Sequence, residues 1–106
     1  MTSSATVTLK RGSLYLSSEV YERYFPGLET IVLLRRGDDL VILPVRHAAA
    51  GGYVLKRRNS AGGRVAHAPD FFREQGVGDE IQCELTVSWS TEGAGLVATG
   101  AFSLQS

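Results

Sequence analysis

The feature that most constrains this chain is that its pattern of elements runs through twice. A hairpin, a short amphipathic helix and a second hairpin occupy residues 5–45, and the same order returns in residues 51–103. Units this small cannot each close a hydrophobic core, so the two copies are expected to interleave in a single domain over residues 1–106. The expected fold class is all-β with two short helices, a small barrel of two ββαββ pseudo-repeats.

In the first copy, Thr6 to Lys10 alternates in polarity, Arg11-Gly12 turns the chain, and Ser13 to Leu16 alternates again. Ser17 and Ser18 offer an N-cap to a helix with Val20, Tyr21, Tyr24 and Phe25 at helical spacing, stopped by Pro26-Gly27. Glu29 to Arg35 and Leu40 to Val45 flank the turn Arg36-Gly37-Asp38-Asp39, with Pro44 restricted to an edge or a strand end. His47 to Gly52, small and glycine-rich, is the candidate linker between the copies. The second copy opens with a strand from Tyr53 to Arg58, turns through Asn59 to Gly63 and resumes at Arg64 to His67. Pro69 suits the first helical position, Asp70 suits the positive end of the helix dipole, and Gly76 ends the helix. A long strand from Glu80 to Ser90 is answered across Thr91 to Gly95 by Leu96 to Phe102.

Eleven basic and eleven acidic side chains cancel overall, which excludes a surface that is basic throughout. They are unevenly spread. From Arg46 to Arg73 six basic residues (Arg46, Lys56, Arg57, Arg58, Arg64 and Arg73) face Asp70 alone, whereas Glu74, Asp79, Glu80, Glu84 and Glu92 carry the rest of the chain without a single Lys or Arg. Residues 1–45 balance. This distribution predicts either one basic region that meets an anionic partner or ion pairs between neighbouring strands.

The stretch from Lys56 to Val77 contains a basic strand (Lys56-Arg57-Arg58), a turn ending in Gly63-Arg64, the β-branched Val65, Pro69 beside the short segment Asp70 to Glu74, and Gly76-Val77 leading to Asp79-Glu80. This order resembles the AbrB/MazE swapped-hairpin family, with the tandem arrangement of the MraZ type; the likeness is good over half the chain and loose over residues 5–45. Members are mostly DNA-binding regulators of transcription and antitoxins. The resemblance implies that Lys56, Arg57, Arg58, Arg64 and Arg73 approach DNA or another anion, a task for which the planar arginine fork is well suited. It also implies partnership of two units, so a homodimer is compatible with it. The first copy has only Lys10, Arg11 and Arg23 nearby, with Leu14 or Tyr15 where Arg64 would repeat, so a symmetric reader of palindromic DNA is not expected. The alternative reading is a non-enzymatic interaction or assembly protein that turns the same basic loop toward an acidic protein partner.

Other chemistry-bearing residues read as structural. Cys83, the only cysteine, lies in an alternating segment, which excludes an internal disulfide and predicts a buried structural thiol. His47 and His67 form no metal-ligand spacing with other residues, and His67 is expected to be a hydrogen-bonded strand residue. Asp38-Asp39 is turn chemistry, Gly62-Gly63-Arg64 a glycine-rich turn, and Ser17-Ser18 are caps without a nucleophile motif. No catalytic set is present, so the chain is expected not to be an enzyme and to need no cofactor or metal. Adjacent Phe71 and Phe72 cannot easily both face inward on a short helix, and Phe72 and Trp89 are the candidate protein contacts. With no apolar run near the roughly 18 residues of a membrane span and no apolar signal core at the start, the expectation is a cytoplasmic protein without a membrane partner.

Overall fold

The computed structural model describes residues 5–45, 52–58, 60 and 62–103, so Arg46 and the candidate linker from His47 up to residue 51 lie outside the described residues. The first copy forms β1 (Ala5–Lys10), β2 (Ser13–Leu16), α1 (Ser18–Tyr24), β3 (Thr30–Arg36) and β4 (Asp39–Val45). The second forms β5 (Tyr53–Val54), β6 (Lys56–Arg57), β7 (Arg64–His67), α2 (Pro69–Glu74), β8 (Gln82–Ser90) and β9 (Gly95–Ala98). All pairings are antiparallel, in the order β5-β3-β4-β9-β8-β1-β2-β7-β6. The result is a nearly closed, small all-β barrel with two short helices.

Tyr53 to Arg58 reads as one strand in the sequence, and the structure divides it at Leu55. Tyr53 and Val54 pair with β3, the Leu55 N–H continues that ladder to the Glu29 carbonyl at 2.8 Å, and Lys56 and Arg57 then pair with β7. The segment thus changes partner in mid-course, because each half completes a different edge of the sheet. Leu55 is buried at the crossing.

Exchanging β1 for β5–β6, β2 for β7, β3 for β8 and β4 for β9 maps the pairings onto themselves. The β1·β8 ladder corresponds to β3·β5, while β2·β7 and β4·β9 each correspond to themselves. Alternation then dictates the interior. Val7 and Leu9, Leu14 and Leu16, Ile31 and Leu33, Leu40 and Ile42, Leu85 and Val87, and Leu96 and Ala98 all turn inward and are almost fully buried. Each large apolar side chain so buried contributes about 1.5–3 kcal/mol against exposure.

The helices plug this interior. Ser17 caps α1 by accepting the Val20 N–H at 3.2 Å, and Val20, Tyr21 and Phe25 face the core. Pro69 opens α2, whose N-cap Ala68 has no side-chain bond. Phe72 is fully buried, which corrects its reading as a protein contact: it is the inward member of the pair, and half-buried Phe71 packs edge-on against both it and Phe102. Phe102 is not in a strand, as the alternation predicts, because β9 ends at Ala98. There the Asp39 carboxylate accepts the Gly100 N–H at 2.7 Å, and the Phe102 N–H donates to the Asp38 carbonyl at 2.9 Å, turning the chain over the barrel end. The acidic turn Asp38-Asp39 is therefore a clasp between copies as well as a hairpin turn. Likewise β8 begins at Gln82, with Asp79-Glu80 in the preceding turn.

One close approach fixes α2 to the first hairpin. Arg11 and Gly12 both have positive φ, at 53° and 75°, as a two-residue type I′ turn requires. The Gly12 carbonyl accepts the Ala68 N–H at 2.9 Å, and a Cβ added at Gly12 would stand 2.6 Å from the Pro69 Cα. Gly12→Ala is expected to combine an unfavourable φ with a backbone clash and to lower stability in urea unfolding by about 1–3 kcal/mol. An unchanged midpoint would contradict this account of the turn.

Candidate functional site: a cationic cleft

Alternation that sends Leu9, Leu14 and Ala66 inward sends Thr8, Tyr15, Val65 and Lys56 outward as a row across β1, β2, β7 and β6. Lys10, Ser13 and His67 form the next row. These rows border a cleft of about 600 Å³, lined by Thr8, Lys10, Tyr15, Val65, His67 and Gln82 together with Lys56, Arg57 and Arg58. Val65 points outward by register yet is only 7% exposed, so the surface is recessed at this point.

The lining carries four cationic side chains, Lys10, Lys56, Arg57 and Arg58, and no acidic residue among the described ones. None of the four forms an ion pair among the described residues. Arg58 lies over the Tyr15 ring, its guanidinium carbon 4.7 Å from the centroid, a contact worth about 0.5–1 kcal/mol at an exposed site. Arg58 remains exposed in this contact.

The acidic strand stands apart from the cations of β6: between β8 and β6 lie β1, β2 and β7, a separation of roughly 19 Å along the sheet at the usual strand spacing. Lys10, on β1, is instead directly beside β8, opposite Gln82. The acidic group nearest by register is Glu84, opposite Thr8. On α2, Asp70 and Glu74 lie close enough to Tyr53 to raise its phenol pKa, after the larger effect of desolvation by burial. Their charge is thus felt at β5, beside β3.

Two of the five basic residues singled out by sequence are not in the cleft. Arg64 stands opposite Leu16, an inward position, and folds back on its own turn: its Nη1 donates to the Gly62 carbonyl at 2.7 Å and to that of Gly63 at 3.3 Å. Its guanidinium carbon is 4.1 Å from the Tyr21 ring centroid, so it ties the β6–β7 turn to α1. Arg73 is exposed near the end of α2, 3.9 Å from Asp79, a separation at which an exposed pair contributes about 0–1 kcal/mol. A counterpart of Arg64 in β2 must share its inward face, which Leu14 does and Tyr15 does not.

His67 is hydrogen-bonded as the sequence implies, with Nδ1 2.7 Å from the Oγ of buried Ser13 across the β2·β7 ladder. Its presence in the cleft lining, like that of Thr8, Tyr15 and Gln82, is not legible without the strand order. Their parity was readable; the pairing of β2 with β7 was not. Elsewhere Trp89 is 38% exposed and stacks on Tyr24 with centroids 5.8 Å apart, while Arg23 covers Tyr24 at 5.4 Å. Cys83 is half-buried against the core, and desolvation raises its thiol pKa. Among the described residues there is no group of three or more His, Cys, Asp or Glu side chains placed to hold a metal, and no helix is long and apolar enough to cross a membrane. No family model, curated protein or solved structure matches the chain.

Two measurements check this description. A double-mutant cycle on Ser13→Ala and His67→Ala is expected to give a coupling of about 0.5–1.5 kcal/mol, and strictly additive effects would remove the bond from the account. Because burial raises the Cys83 pKa, its thiolate fraction near neutral pH falls below that of a free thiol. Alkylation at about pH 7 should then be slower than for an unstructured cysteine of pKa about 8.5. The sign for stability follows: the protonated thiol is favoured by folding, and its contribution is present below the unfolded pKa and lost as pH rises through the folded one.

Proposed function

We propose that this chain is a nucleic-acid-binding protein of AbrB-like type, a transcriptional regulator or antitoxin, that holds DNA phosphates with Lys56, Arg57 and Arg58, joined by Lys10. The observation that carries the reading is the convergence of four cations, unpaired with any described acidic group, on a recess with no acidic lining. In a chain with no net charge, such a grouping favours an anionic partner, because a local excess of cations raises the positive potential of the recess and attracts opposite charge. Neither Arg64, committed to its own turn, nor the distant Arg73 is needed for it.

Displacing counterions from DNA makes affinity depend steeply on salt. Titration of duplex DNA against the full chain is expected to show log K falling with log salt at a slope of about −3, the value for three to four phosphate contacts. Replacing Lys56, Arg57 and Arg58 together by Ala should flatten that slope to about −1 and weaken binding at low salt by at least tenfold. Binding that is absent at low salt, or indifferent to salt, would sink the reading.

A second reading is an assembly or accessory protein whose cleft meets an acidic protein segment, and exposed Trp89, stacked on Tyr24 under Arg23, favours it. A stoichiometric protein partner that survives nuclease treatment and is lost on Trp89→Ala would support this alternative.

A further inference from the structure

A duplex presents a convex, regularly charged backbone, and protruding side chains are enough to hold it. The cleft is instead concave, and its floor is not cationic. Outward-facing Tyr15 and Val65 form an apolar bottom, while Lys10, Lys56 and Arg57 line the same recess. Exposed Arg58, whose guanidinium is flat and charged, lies over Tyr15 at the same recess. A volume of about 600 Å³ falls within the range of small-molecule sites and exceeds what a phosphate alone would fill. Planar apolar surface beside cations matches the two halves of a nucleotide, whose base has a π-face and whose phosphate is anionic.

We propose that the cleft seats one unpaired nucleotide, its base stacked on the Arg58–Tyr15 pair and its phosphate held by Lys56 and Arg57. The proposal rests on the nucleic-acid reading above and narrows it to single-stranded segments, since a base inside a duplex cannot turn its face to the sheet. Thr8 and Gln82, polar and on the β1–β8 side of the recess, are in position to hydrogen-bond the edge of the base. A nucleotide of this kind has two sources, a single strand or a free mononucleotide. The stacking pair is indifferent to base identity, so sequence preference should be weak.

The test is a competition on the full chain at one low salt concentration among a labelled thymidine oligomer, the same oligomer annealed to its complement, and free ATP. The expected result is that the single strand binds about tenfold or more tightly than the duplex, and that Tyr15→Leu, which keeps apolar volume without the ring, weakens the single strand by about fivefold or more and leaves the duplex unchanged. Arg58→Lys, which keeps the charge without the plane, should do the same. Equal or tighter binding of the duplex, with neither variant discriminating, overturns the unpaired-nucleotide seat and leaves the DNA reading standing. ATP binding as tightly as the oligomer supports the seat and overturns the nucleic-acid reading. Binding of none of the three overturns both. Thermal unfolding of each variant separates these outcomes from loss of fold, and a variant that unfolds is replaced by Tyr15→Phe, expected to bind as the parent does; a weakened Tyr15→Phe counts against stacking.

Discussion

The barrel depends on one short stretch of backbone hydrogen bonding. Tyr53 and Val54 occupy the open edge of β3, and two residues later Lys56 and Arg57 occupy that of β7. Without this change of partner the sheet would end in two unpaired rows of N–H and C=O groups, the arrangement that invites edge-to-edge association. Leu55, apolar and buried at the crossing, anchors the switch to the core. The same crossing sets Lys56 on the outer face opposite Val65 and brings Arg57 and Arg58 to the border of the cleft, so the segment that closes the sheet edge also supplies three of the cleft's cations.

The two copies divide their labour because side chains, not pairings, broke the symmetry. The ladders map onto each other, yet the inward Leu14 stands where the second copy has Arg64, and a two-residue turn at Arg11-Gly12 replaces the longer turn before Gly63. A short turn keeps β1 and β2 flush and supplies the tyrosine floor of the cleft. The longer one carries Arg58 out over that floor and brings Arg64 back onto Tyr21.

Much of the fold was readable from alternation and punctuation. Ser17 as a cap, Pro69 at the helix start, Gly12 and Gly37 in tight turns and the buried parity of β1, β2, β3 and β8 all follow from local chemistry. What escaped depends on distant partners. Phe102 alternates like a strand residue, but the Asp39 carboxylate captures Gly100 and bends the chain before it. Phe71 and Phe72 are adjacent and alike, and only the packing of α2 against the core shows that Phe72 is the buried one. Of the basic residues, Lys56, Arg57 and Arg58 share the cleft as contiguous sequence suggested, whereas Arg64 and Arg73 answer to their own local partners and Lys10 arrives through the β2·β7 seam.

The β1·β8 ladder sets the order in which this chain can become a protein. Ala5 finds its place opposite Val87, and Lys10 opposite Gln82, so the first strand made waits for nearly the last. During synthesis β1 and β2 can meet as a hairpin, but one side of β1 has no partner until the second copy has emerged. Closing so long a loop before any long-range contact rewards it makes folding slow for a chain of this length, governed by topology more than by stability. The local turns at Gly12 and Gly37 therefore act as timekeepers: they hold each hairpin in register through the interval in which its other edge is bare.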